Sequence, residues 1–405
     1  MKILYAIDLY HPYYGGGGSE LTKILAENFC LKGNDVGVIT TSPRSKTSKE
    51  GFTIEKINGI TVYRYFPSNL YWCGNSVGQN KIKKLLWHLK DMHNISSGIM
   101  LNKIFNEFKP DILHSHCTTS FSPIIWKVAK KKSIPIVHTA HAYHLMCVNS
   151  NLLKKKKSVC NDTNSSCKCY RWWYKRQIKN VDIFCSPSNF LINKFYENKY
   201  LFNKTKVIAN GIDLSELNKI KDKNDSVFKL LYIGSLSKIK GIQILIDSLH
   251  YLKPNSYQLH IAGTGEFKDD IKQLTKNNSN IFFHGLVSGK EKKELFSIVN
   301  ALVLPSICFE NQPMSIIEAF YYGLPVIGSN IGGIRELLEN ISYKLLFEVG
   351  DAEDLADKMK YLIANPEYYN EISKKVVEKA RNYNILESIA EYEKTYEQLL
   401  DYSCE

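Results

Sequence analysis

The sequence predicts an α/β protein built from two doubly wound domains, each a mainly parallel sheet covered by helices. The chain has 405 residues, which is more than one hydrophobic core usually organises, so about two domains are expected. Apolar residues make up 44% and aromatic residues 12% of the chain, as in a globular protein. In both halves, short β-like runs alternate with helical patterns, and this alternation is typical of parallel sheets between helices.

The first half opens with the strand-like run KILYAIDL. A helix is predicted from about Ser19 to Lys32, because its apolar residues recur at helical spacing and Ser19 suits its N-cap. Another helix is expected near residues 121–132. The remaining strand-like runs are DVGVITT, ITVYRYF, DILHSHC, IPIVHTAH, VDIFCSPS and KVIANG.

The second half repeats the alternation more regularly, with strand-like runs FKLLYIGSL, YQLHIAGTG, IFFHGLV, ALVLPS and LPVIGS. Helices are predicted over residues 241–252, 267–276, 290–300 and 313–322. The polar segment 213–226 has few strand formers, so we place the domain junction near it. A long amphipathic pattern follows the second sheet, over residues 384–400. Because open parallel sheets bind ligands beyond the carboxyl ends of their strands, the residues just after each strand are the candidates for a site.

Positive charge is concentrated in the first half. Residues 1–200 contain 29 Lys and Arg against 12 Asp and Glu, a balance of +17, whereas residues 201–405 contain 24 against 28, a balance of −4. The whole excess of +13 therefore belongs to the first half. Runs such as KIKK and KKKK fit a surface that binds an anionic partner, either nucleic acid or a membrane face, and fit solvated lysines equally well.

The sequence offers no run of about 18 apolar residues for a membrane span, and Asp8 interrupts the N-terminal apolar run where a signal peptide needs continuity. A cytoplasmic protein is expected. A cluster of four cysteines, whose spacings of twelve, six and one residues differ from the paired C-x2-C of zinc sites, is formed by Cys147, Cys160, Cys167 and Cys169. Plain loop cysteines are expected there, with a metal site or a labile disulfide as alternatives.

Four consecutive glycines follow the first predicted strand, in the stretch HPYYGGGGSEL. The run lacks the Gly-Lys-Ser/Thr of a P-loop, and Glu20 breaks the G-x-G-x-x-G pattern of dinucleotide sites. Glycine nevertheless lets a backbone approach a ligand closely, and the helix that follows points its positive end at such a ligand. Gly17 and Gly18 are therefore candidate ligand contacts.

The most informative stretch is LPSICFENQPMSIIEAFYYGLPVIGSNIGG, near the end of the second half. Pro313 suits the first turn of a helix and Gly323 its C-terminal end. Glu310 then lies at the helix N-terminus, and Glu318 lies two turns into the helix. Paired carboxylates suit a polyhydroxylated ligand, because each accepts hydrogen bonds from hydroxyls. The free N–H groups around Pro313 to Ser315 suit a phosphate.

This stretch resembles the signature of the retaining glycosyltransferases of family 4, which have the GT-B fold. Their E-x7-E motif is followed by A-x-x-x-G-x-P-V and a G-G-x-x-E loop, matched here by Glu310, Glu318, Ala319, Gly323, Pro325, Val326, Gly332, Gly333 and Glu336. Further motifs over almost the entire chain are similar, among them PDILHSHC, VIANGID and AGTGE. The resemblance implies two Rossmann-like domains facing each other across a deep cleft. It assigns residues 1–205 plus 385–405 to the acceptor side and residues 206–384 to the nucleotide-sugar donor.

Site residues follow from the same resemblance. HTAHAYHLMC is similar to the family's T-L-H-D-Y-W-x-x-C, which puts His141 near the transferred sugar, although Ala142 replaces the usual Asp. In GSLSKIKG, Lys240 is kept, but Ser235 stands where an Arg typically helps to neutralise the diphosphate, and Arg335 is one possible substitute. The residues implied in catalysis are His141, Lys240 and Glu310. The residues implied in donor binding are Gly17, Gly18, Ser235, Lys240, Gly263, Glu310, Asn311, Pro313, Met314, Ser315 and Glu318.

The implied reaction is transfer of a sugar, with retention, from a UDP- or GDP-sugar to a glycan or lipid-linked acceptor in cell-envelope polysaccharide synthesis. Glu310 would hold donor-sugar hydroxyls, Glu318 the ribose and Lys240 the diphosphate. No cofactor and no divalent metal are expected, and the sequence contains no D-x-D motif.

Two other functions stay open: a nucleotide-sugar 2-epimerase on the same fold, and a non-catalytic protein that binds nucleotide or an anionic surface. Nucleic acid is not expected as a partner, because the paired carboxylates would repel its backbone. The basic acceptor half instead gives the hypothesis of peripheral binding to the anionic inner face of a membrane.

Overall fold

The computed structural model describes residues 1–13, 16–46, 51–76, 78–154, 158–160, 165–215, 227–276 and 278–401. The chain forms two compact α/β units. The first unit is Met1–Ser150, Asp162–Ile208 and Ile389–Glu405, and the second is Asn151–Asn161 and Ala209–Ser388. Segment 151–161 thus groups with the second unit, although the sequence places it inside the first domain. Most of the predicted junction, residues 216–226, lies outside the described residues, as do Gly15 and residues 155–157.

The first unit is built on an eight-stranded sheet whose strand order is β10-β9-β6-β5-β1-β2-β4-β3. Among the strand pairs that the described residues form in this sheet, only β3–β4 is antiparallel. A separate two-stranded ribbon, β7 with β8, is also antiparallel. The strands of the eight-stranded sheet are β1 (Lys2–Ala6), β2 (Asp35–Thr41), β3 (Phe52–Ile57), β4 (Ile60–Tyr65), β5 (Ile112–Ser115), β6 (Ile136–Thr139), β9 (Ile183–Ser186) and β10 (Thr205–Val207). The ribbon strands β7 (Leu153–Lys154) and β8 (Ser158–Val159) lie in segment 151–161, which groups with the second unit.

Helices connect the strands of the first unit, as the alternating pattern predicts. They are α1 (Gly17–Leu31), α2 (Lys81–Met92), α3 (Ile95–Phe108), α4 (Ile124–Lys131), α5 (Ser165–Gln177) and α6 (Asn189–Glu197). The sequence predicts bounds for two of these helices, α1 and α4. Strands β5, β6 and β9 are buried along their whole length, as expected for central strands covered on both faces.

The first helix starts two residues earlier than the sequence predicts. Helix α1 begins at Gly17, and its N-cap is Gly16 with φ +83°, a conformation that favours glycine. Ser19 is therefore not the N-cap. Its hydroxyl instead donates to the Leu9 carbonyl over 2.7 Å, which ties the first turn of α1 to the segment after β1.

The second unit has a wholly parallel six-stranded sheet in the order β13-β12-β11-β14-β15-β16, the arrangement predicted for a doubly wound domain. Its strands are β11 (Phe228–Ile233), β12 (Tyr257–Ala262), β13 (Ile281–Gly285), β14 (Ala301–Leu304), β15 (Val326–Ser329) and β16 (Leu346–Phe347). Its helices are α7 (Ile242–Ser248), α8 (Lys268–Thr275), α9 (Gly289–Ile298), α10 (Met314–Tyr321), α11 (Gly332–Leu338), α12 (Ala352–Ala364) and α13 (Pro366–Ala380).

The predicted amphipathic C-terminal segment forms one helix, α14 (Ile385–Asp401). Its first residues belong to the second unit, and residues from Ile389 onwards belong to the first. The buried side chains of Tyr392 and Tyr396 complete the core of the first unit. Among the described residues, no helix combines the length and apolar character needed to cross a membrane.

Candidate functional site

The loops after the strands of the second sheet bring Lys240 and Glu310 together. Lys240 ends a short 3-10 helix after β11, and Glu310 lies between β14 and α10. The Lys240 ammonium lies 2.5 Å from Glu310 Oε1, and the Ser306 hydroxyl donates to the same oxygen over 2.8 Å. One carboxylate oxygen thus receives both a charged and a neutral donor. The other oxygen of Glu310 leaves acceptor capacity for a ligand hydroxyl.

This ion pair keeps both groups charged. Burial alone would raise the pKa of Glu310, but the ammonium of Lys240, together with hydrogen bonds from Lys240 and Ser306, lowers it below its usual value. Burial alone would lower the pKa of Lys240, but the nearby Glu310 carboxylate raises it. The site therefore presents a cation that can bind a phosphate and an anion that can accept hydroxyl hydrogen bonds.

Three close backbone contacts hold these loops in place, and each occurs at a glycine. A Cβ added to Gly241, whose φ is +69°, would lie 1.7 Å from the Pro305 carbonyl oxygen. A Cβ on Gly263 would lie 1.8 Å from the carbonyl oxygen of Gly234, so the loops after β11 and β12 touch. The structure thus brings the predicted residue Gly263 to the same edge of the sheet as Lys240.

The third glycine contact fixes the segment that carries Glu310. A Cβ on Gly333 would lie 1.5 Å from the Asn311 carbonyl oxygen, and the Gly333 N–H donates to the Glu310 carbonyl over 2.9 Å. The loop of α11 therefore fits only a glycine against Glu310 and Asn311. This is the physical reason for the two glycines in the NIGG sequence.

Helix α10 presents its N-terminus at this edge. Pro313 is its N-cap residue with extended backbone, so the predicted helix start is shifted by one residue, and Gly323 has the predicted left-handed conformation at the other end, with φ +65°. Within the described part of the chain, the N-cap residue Pro313 makes no side-chain capping hydrogen bond. The first N–H groups, at Met314 and Ser315, have no intrahelical acceptor and carry the positive end of the helix dipole. They can therefore bind an anion.

Glu318 lies beside a cavity of about 260 Å³ within the second unit. Its carboxylate forms an ion pair with the ammonium of Lys292 from α9, and burial nevertheless raises its pKa. The walls of the cavity combine charged and aromatic groups, which include Asp213, Lys292, Lys293, Phe296, Glu318 and Tyr322. Phe296 and Tyr322 stack with ring centroids 5.4 Å apart. A cavity with this lining can take a flat ring together with a polar hydroxylated group.

Ser235 is exposed, and its side chain supplies no positive charge to the loop after β11. Its backbone carbonyl accepts the hydroxyl of Tyr232 over 2.7 Å. The suggested substitute, Arg335, is paired with Glu339 on the surface of α11, with Nε and Oε2 3.1 Å apart. In this structure Arg335 therefore acts as a surface ion-pair partner.

Gly17, Gly18 and His141 form a second group, within the first unit. Gly17 and Gly18 are the first two residues of α1, and a Cβ added to Gly18 would lie 3.0 Å from Cδ2 of His141. Nε2 of His141 lies 2.9 Å from Nδ1 of His116, and the planes of the two rings differ by 7°, so the rings meet edge to edge. Ala142, which follows His141, has no polar side chain, and the ring contact of His141 is with His116.

Five histidines cluster here: His114, His116, His138 and His144 are buried, and His141 is half-buried. Burial lowers the pKa of each, to about 4 for His141 and His144. His141 is therefore neutral near pH 7 and can act as a hydrogen-bond partner for a sugar hydroxyl.

Asp8, which follows β1, has its pKa raised to about 6 by burial. The sequence indicates Asp8 only as a break in the apolar run, and Asp8 is absent from the predicted site residues. His116, Lys292 and the aromatic pair Phe296 and Tyr322 are likewise absent from the predicted site residues. One sequence signal could have pointed to Lys292. Lys292 and Phe296 are four residues apart on α9, a spacing that puts both on one face of the helix, and both line the cavity.

The cysteine cluster has no visible metal-binding arrangement among the described residues, in which no group of three or more His, Cys, Asp and Glu could hold an ion. Cys169 is exposed, and Cys147, Cys160 and Cys167 are partly buried. Residues 161–164, between the second and third of these cysteines, lie outside the described residues.

Family models match both halves of the chain. The model described as Glycosyltransferase Family 4 matches residues 15–216, and the model described as Glycosyl transferases group 1 matches residues 214–382. Together they span both units and meet at the predicted junction.

Two similar proteins accompany this match. An uncharacterized 42.6 kDa protein from the cps region of Klebsiella pneumoniae is 28% identical over 386 residues, which cover 92% of this chain and 98% of the relative. The Escherichia coli UDP-Gal:alpha-D-GlcNAc-diphosphoundecaprenol alpha-1,3-galactosyltransferase is 25% identical over 331 residues, 76% of this chain and 80% of the relative.

Among solved structures, sucrose-phosphate synthase from Thermosynechococcus elongatus superposes with a TM-score of 0.74 at 17% identity and covers 99% of both chains. This likeness shows the fold, and it confirms the predicted pair of α/β units. The chain belongs to the glycosyltransferases of family 4, group 1, and has their GT-B fold.

Proposed function

We propose that this glycosyltransferase transfers a sugar from a UDP- or GDP-sugar, with retention and without a divalent metal, to a glycan or lipid-linked acceptor in cell-envelope polysaccharide synthesis. The observation that carries the proposal is the Lys240–Glu310 ion pair at the open N-terminus of α10. It combines a cation for the diphosphate, a carboxylate for sugar hydroxyls and helix N–H groups for phosphate oxygens.

Each residue of the donor site has a proposed role. The Lys240 ammonium and the N–H groups of Met314 and Ser315 stabilise the charge that grows on the departing diphosphate. Glu310 accepts hydrogen bonds from donor-sugar hydroxyls through the oxygen that Lys240 does not occupy. Glu318 accepts hydrogen bonds from the ribose, and the cavity beside it takes the base. The approach of the glycine backbones at Gly263 and Gly333 supports this geometry.

In the first unit, neutral His141 donates or accepts a hydrogen bond with the transferred sugar, and the N-terminus of α1 at Gly17 and Gly18 contributes N–H groups to the donor phosphate or the acceptor. No side chain is assigned as a general base. In the proposed retaining step, the bond from the anomeric carbon to the diphosphate oxygen breaks, and the acceptor oxygen bonds to that carbon on the same face. The leaving phosphate oxygen takes the acceptor's proton.

The choice of a lipid-linked or glycan acceptor is supported by relatives. The E. coli relative is named for an undecaprenol-linked acceptor and a UDP-sugar, and the K. pneumoniae relative is encoded in a cps region. The excess of positive charge in residues 1–200 is compatible with an acceptor at an anionic membrane face, and we propose a peripheral, cytoplasmic-side location.

A thermal-shift panel of UDP-, GDP- and ADP-sugars tests the donor assignment. A ligand that binds only the folded state raises the free energy of unfolding, by about 2.7 kcal/mol at a concentration 100-fold above its Kd. We expect a UDP- or GDP-sugar to raise the melting temperature, and Glu310→Gln to reduce that effect. If no nucleotide sugar stabilises the protein while a known family member responds in the same assay, the proposal is wrong.

Incubation with the stabilising donor alone separates transfer from epimerisation. A 2-epimerase would consume or isomerise the donor without any acceptor, whereas a transferase needs the acceptor for rapid turnover. We therefore expect the donor to remain largely intact until an acceptor extract is added. Anomeric configuration in the product, measured by NMR coupling constants, tests retention, and activity in excess EDTA tests independence from metal.

A further inference from the structure

Helix α2 carries a row of large apolar side chains that point into solvent. The row follows the spacing i, i+3, i+4, i+7, so its members lie on one face of the helix. They are Ile82, Leu85, Leu86 and Leu89, with 72%, 59%, 50% and 56% of their surface exposed. We call these four residues the α2 apolar row. A contiguous apolar surface of this kind on a folded protein commonly marks an interaction site.

The opposite face of α2 packs against the rest of the first unit. Trp87 is buried, and its Nε1 donates to the Tyr71 carbonyl over 2.8 Å. Asp91, one turn later, is also buried and accepts the N–H of Ser120 over 3.1 Å. The helix is thus held to the unit through its inner face. At least half of each side chain in the α2 apolar row is exposed, so burial in the core does not explain the row.

Lysines border the row on both sides. At about 100° of rotation per residue, Lys83 and Lys90 lie on one side of the row and Lys81 on the other. All three side chains are exposed. The only acid in α2 is the buried Asp91, so the outer face carries positive charge alone. An apolar stripe with lysines on both sides is the pattern of a helix that lies in a membrane interface, where the lysines reach the headgroups.

Further exposed apolar side chains lie on α3, which follows α2 in the chain, and on α5, which contacts the end of α2. Ile95 and Ile99, one turn apart on α3, are 62% and 59% exposed. Trp173 on α5 donates its Nε1 proton to the Met92 carbonyl at the end of α2, over 2.8 Å. Its neighbour Trp172 is 52% exposed, with the Arg176 guanidinium 4.4 Å from its ring centre. Tryptophan beside a cation is favoured at the boundary between lipid and water.

We propose that the α2 apolar row inserts into the interface of an anionic lipid bilayer, with Lys81, Lys83 and Lys90 at the lipid headgroups. The positive charge favours a bilayer over a second copy of the chain as the partner. If two copies packed against each other through α2, their lysines would lie close together and repel. A bilayer offers both an apolar layer and negative charge to one face. The inference rests on the proposed function in that a lipid-linked acceptor lies in a membrane, but its test needs no transfer reaction.

Cosedimentation with vesicles tests the proposal on the full chain. Vesicles of phosphatidylcholine with phosphatidylglycerol are compared with vesicles of phosphatidylcholine alone. We expect binding to the anionic vesicles, and a loss of at least about tenfold in the partition coefficient for L85S/L89S, because two apolar side chains no longer enter the bilayer. The triple variant K81Q/K83Q/K90Q should lose the preference for anionic vesicles and the salt dependence of binding.

The matched control is L31S/L201S, which removes two leucines of the same unit that are 85% and 71% exposed but lie outside α2. It should bind vesicles like the unaltered protein. Equal binding by L85S/L89S and the unaltered protein, or no binding of the unaltered protein to anionic vesicles, would overturn the proposal. Concentration-dependent self-association without lipid that is abolished by L85S/L89S would overturn it in favour of a second copy.

A parallel measurement keeps this inference separate from the proposed function. The α2 apolar row is exposed and lies in the other unit from Lys240 and Glu310, so L85S/L89S should keep the melting temperature and the stabilisation by nucleotide sugar. Lost vesicle binding with retained donor stabilisation supports the inference. Donor stabilisation without vesicle binding in the unaltered protein would leave the proposed donor site intact and remove the membrane site alone.

Discussion

Ser235 stands after β11 at the position where its family typically has an arginine, and the exposed side chain leaves room for a longer one. A guanidinium there would add a charge-assisted hydrogen bond to the donor diphosphate, which contributes about 1–3 kcal/mol. We therefore expect Ser235→Arg to lower the Kd for the nucleotide sugar about tenfold, measured by titration calorimetry. The matched control is Ser237→Arg, two residues further along the loop. Equal gains in both variants would indicate a general charge effect.

Lys240 and Glu310 allow a test of their pairing. Lys240→Met leaves the Glu310 carboxylate without its charged partner, and an unpaired buried charge costs about 3 kcal/mol. The double variant K240M/E310Q removes that charge, so it should regain most of the lost free energy of unfolding, while nucleotide-sugar binding stays lost in both. Chemical unfolding and thermal shift measure the two effects. If the double variant is less stable than Lys240→Met, the unpaired carboxylate of Glu310 does not cause the loss in the free energy of unfolding.

Single residues differ in how well the sequence predicts them. Glu310 and Glu318 are predictable, because a proline and a glycine at the ends of one helix fix their positions relative to the strand. The partner of Glu318 is not, since Lys292 lies on another helix and the pairing depends on how α9 packs against α10. The interaction of His141 with His116 is equally a product of tertiary structure, because it joins the ends of two neighbouring strands.

At the scale of elements, strands β5 and β6 and the segments that follow them bring four histidines into the core and place His141 beside them, and this predicts acid sensitivity. A histidine with a folded pKa of about 4, such as His141 or His144, gives up stability as pH falls from 6.5 toward 4, because only the unfolded state then binds the proton. Asp8 and Asp91 act in the opposite sense, since burial raises their pKa to about 6 and about 8. Five histidines outweigh two acids, so the free energy of unfolding should fall between pH 7 and pH 5.

His144→Gln provides the test, because the side chain is buried and cannot titrate after substitution. The variant should flatten the pH dependence by up to one proton, which is about 1.36 kcal/mol per pH unit. All five tryptophans of the chain lie in the first unit, so tryptophan fluorescence during urea unfolding reports on that unit. A slope unchanged by the substitution would show that His144 takes up a proton in the folded state as well.

Strands and helices whose apolar side chains face the core were predictable from the sequence. Elements whose side chains are largely exposed, or whose apolar side chains face outward, were not. Strands β12, β14 and β15 of the second sheet coincide with apolar runs, because they are buried along almost their whole length. Strand β3 escaped prediction because most of its side chains are exposed or half-buried at a sheet edge. Helix α2 has its large aliphatic residues on the outer face, so a rule that turns apolar residues inward would orient it wrongly.

At the scale of the whole molecule, the sequence predicted two α/β domains because alternation and length are properties of the entire chain. It also predicted a helix beyond the second sheet. The residues that this helix contacts could not be predicted, because they lie several hundred positions earlier in the chain. The Tyr396 hydroxyl lies 2.6 Å from Nδ1 of His114 and 3.2 Å from the hydroxyl of Tyr5, and Tyr392 contacts Thr139 over 3.1 Å. The end of the chain thus completes a buried polar network in the first unit.

Removal of one hydroxyl from this network tests how far the first unit depends on the C-terminal helix. Tyr396→Phe keeps the ring but leaves the buried His114 nitrogen and Tyr5 hydroxyl without a partner, so it should lower the free energy of unfolding by about 1–3 kcal/mol. Tyr196→Phe is the control, because its hydroxyl also forms a hydrogen bond, to Thr205, but at the surface, where water replaces the partner at little cost. Tryptophan fluorescence follows both variants in urea. Equal losses in the two variants would mean that burial does not govern the contribution of Tyr396, whereas a larger loss for Tyr396→Phe would establish that the first unit is stabilised by residues at the far end of the chain.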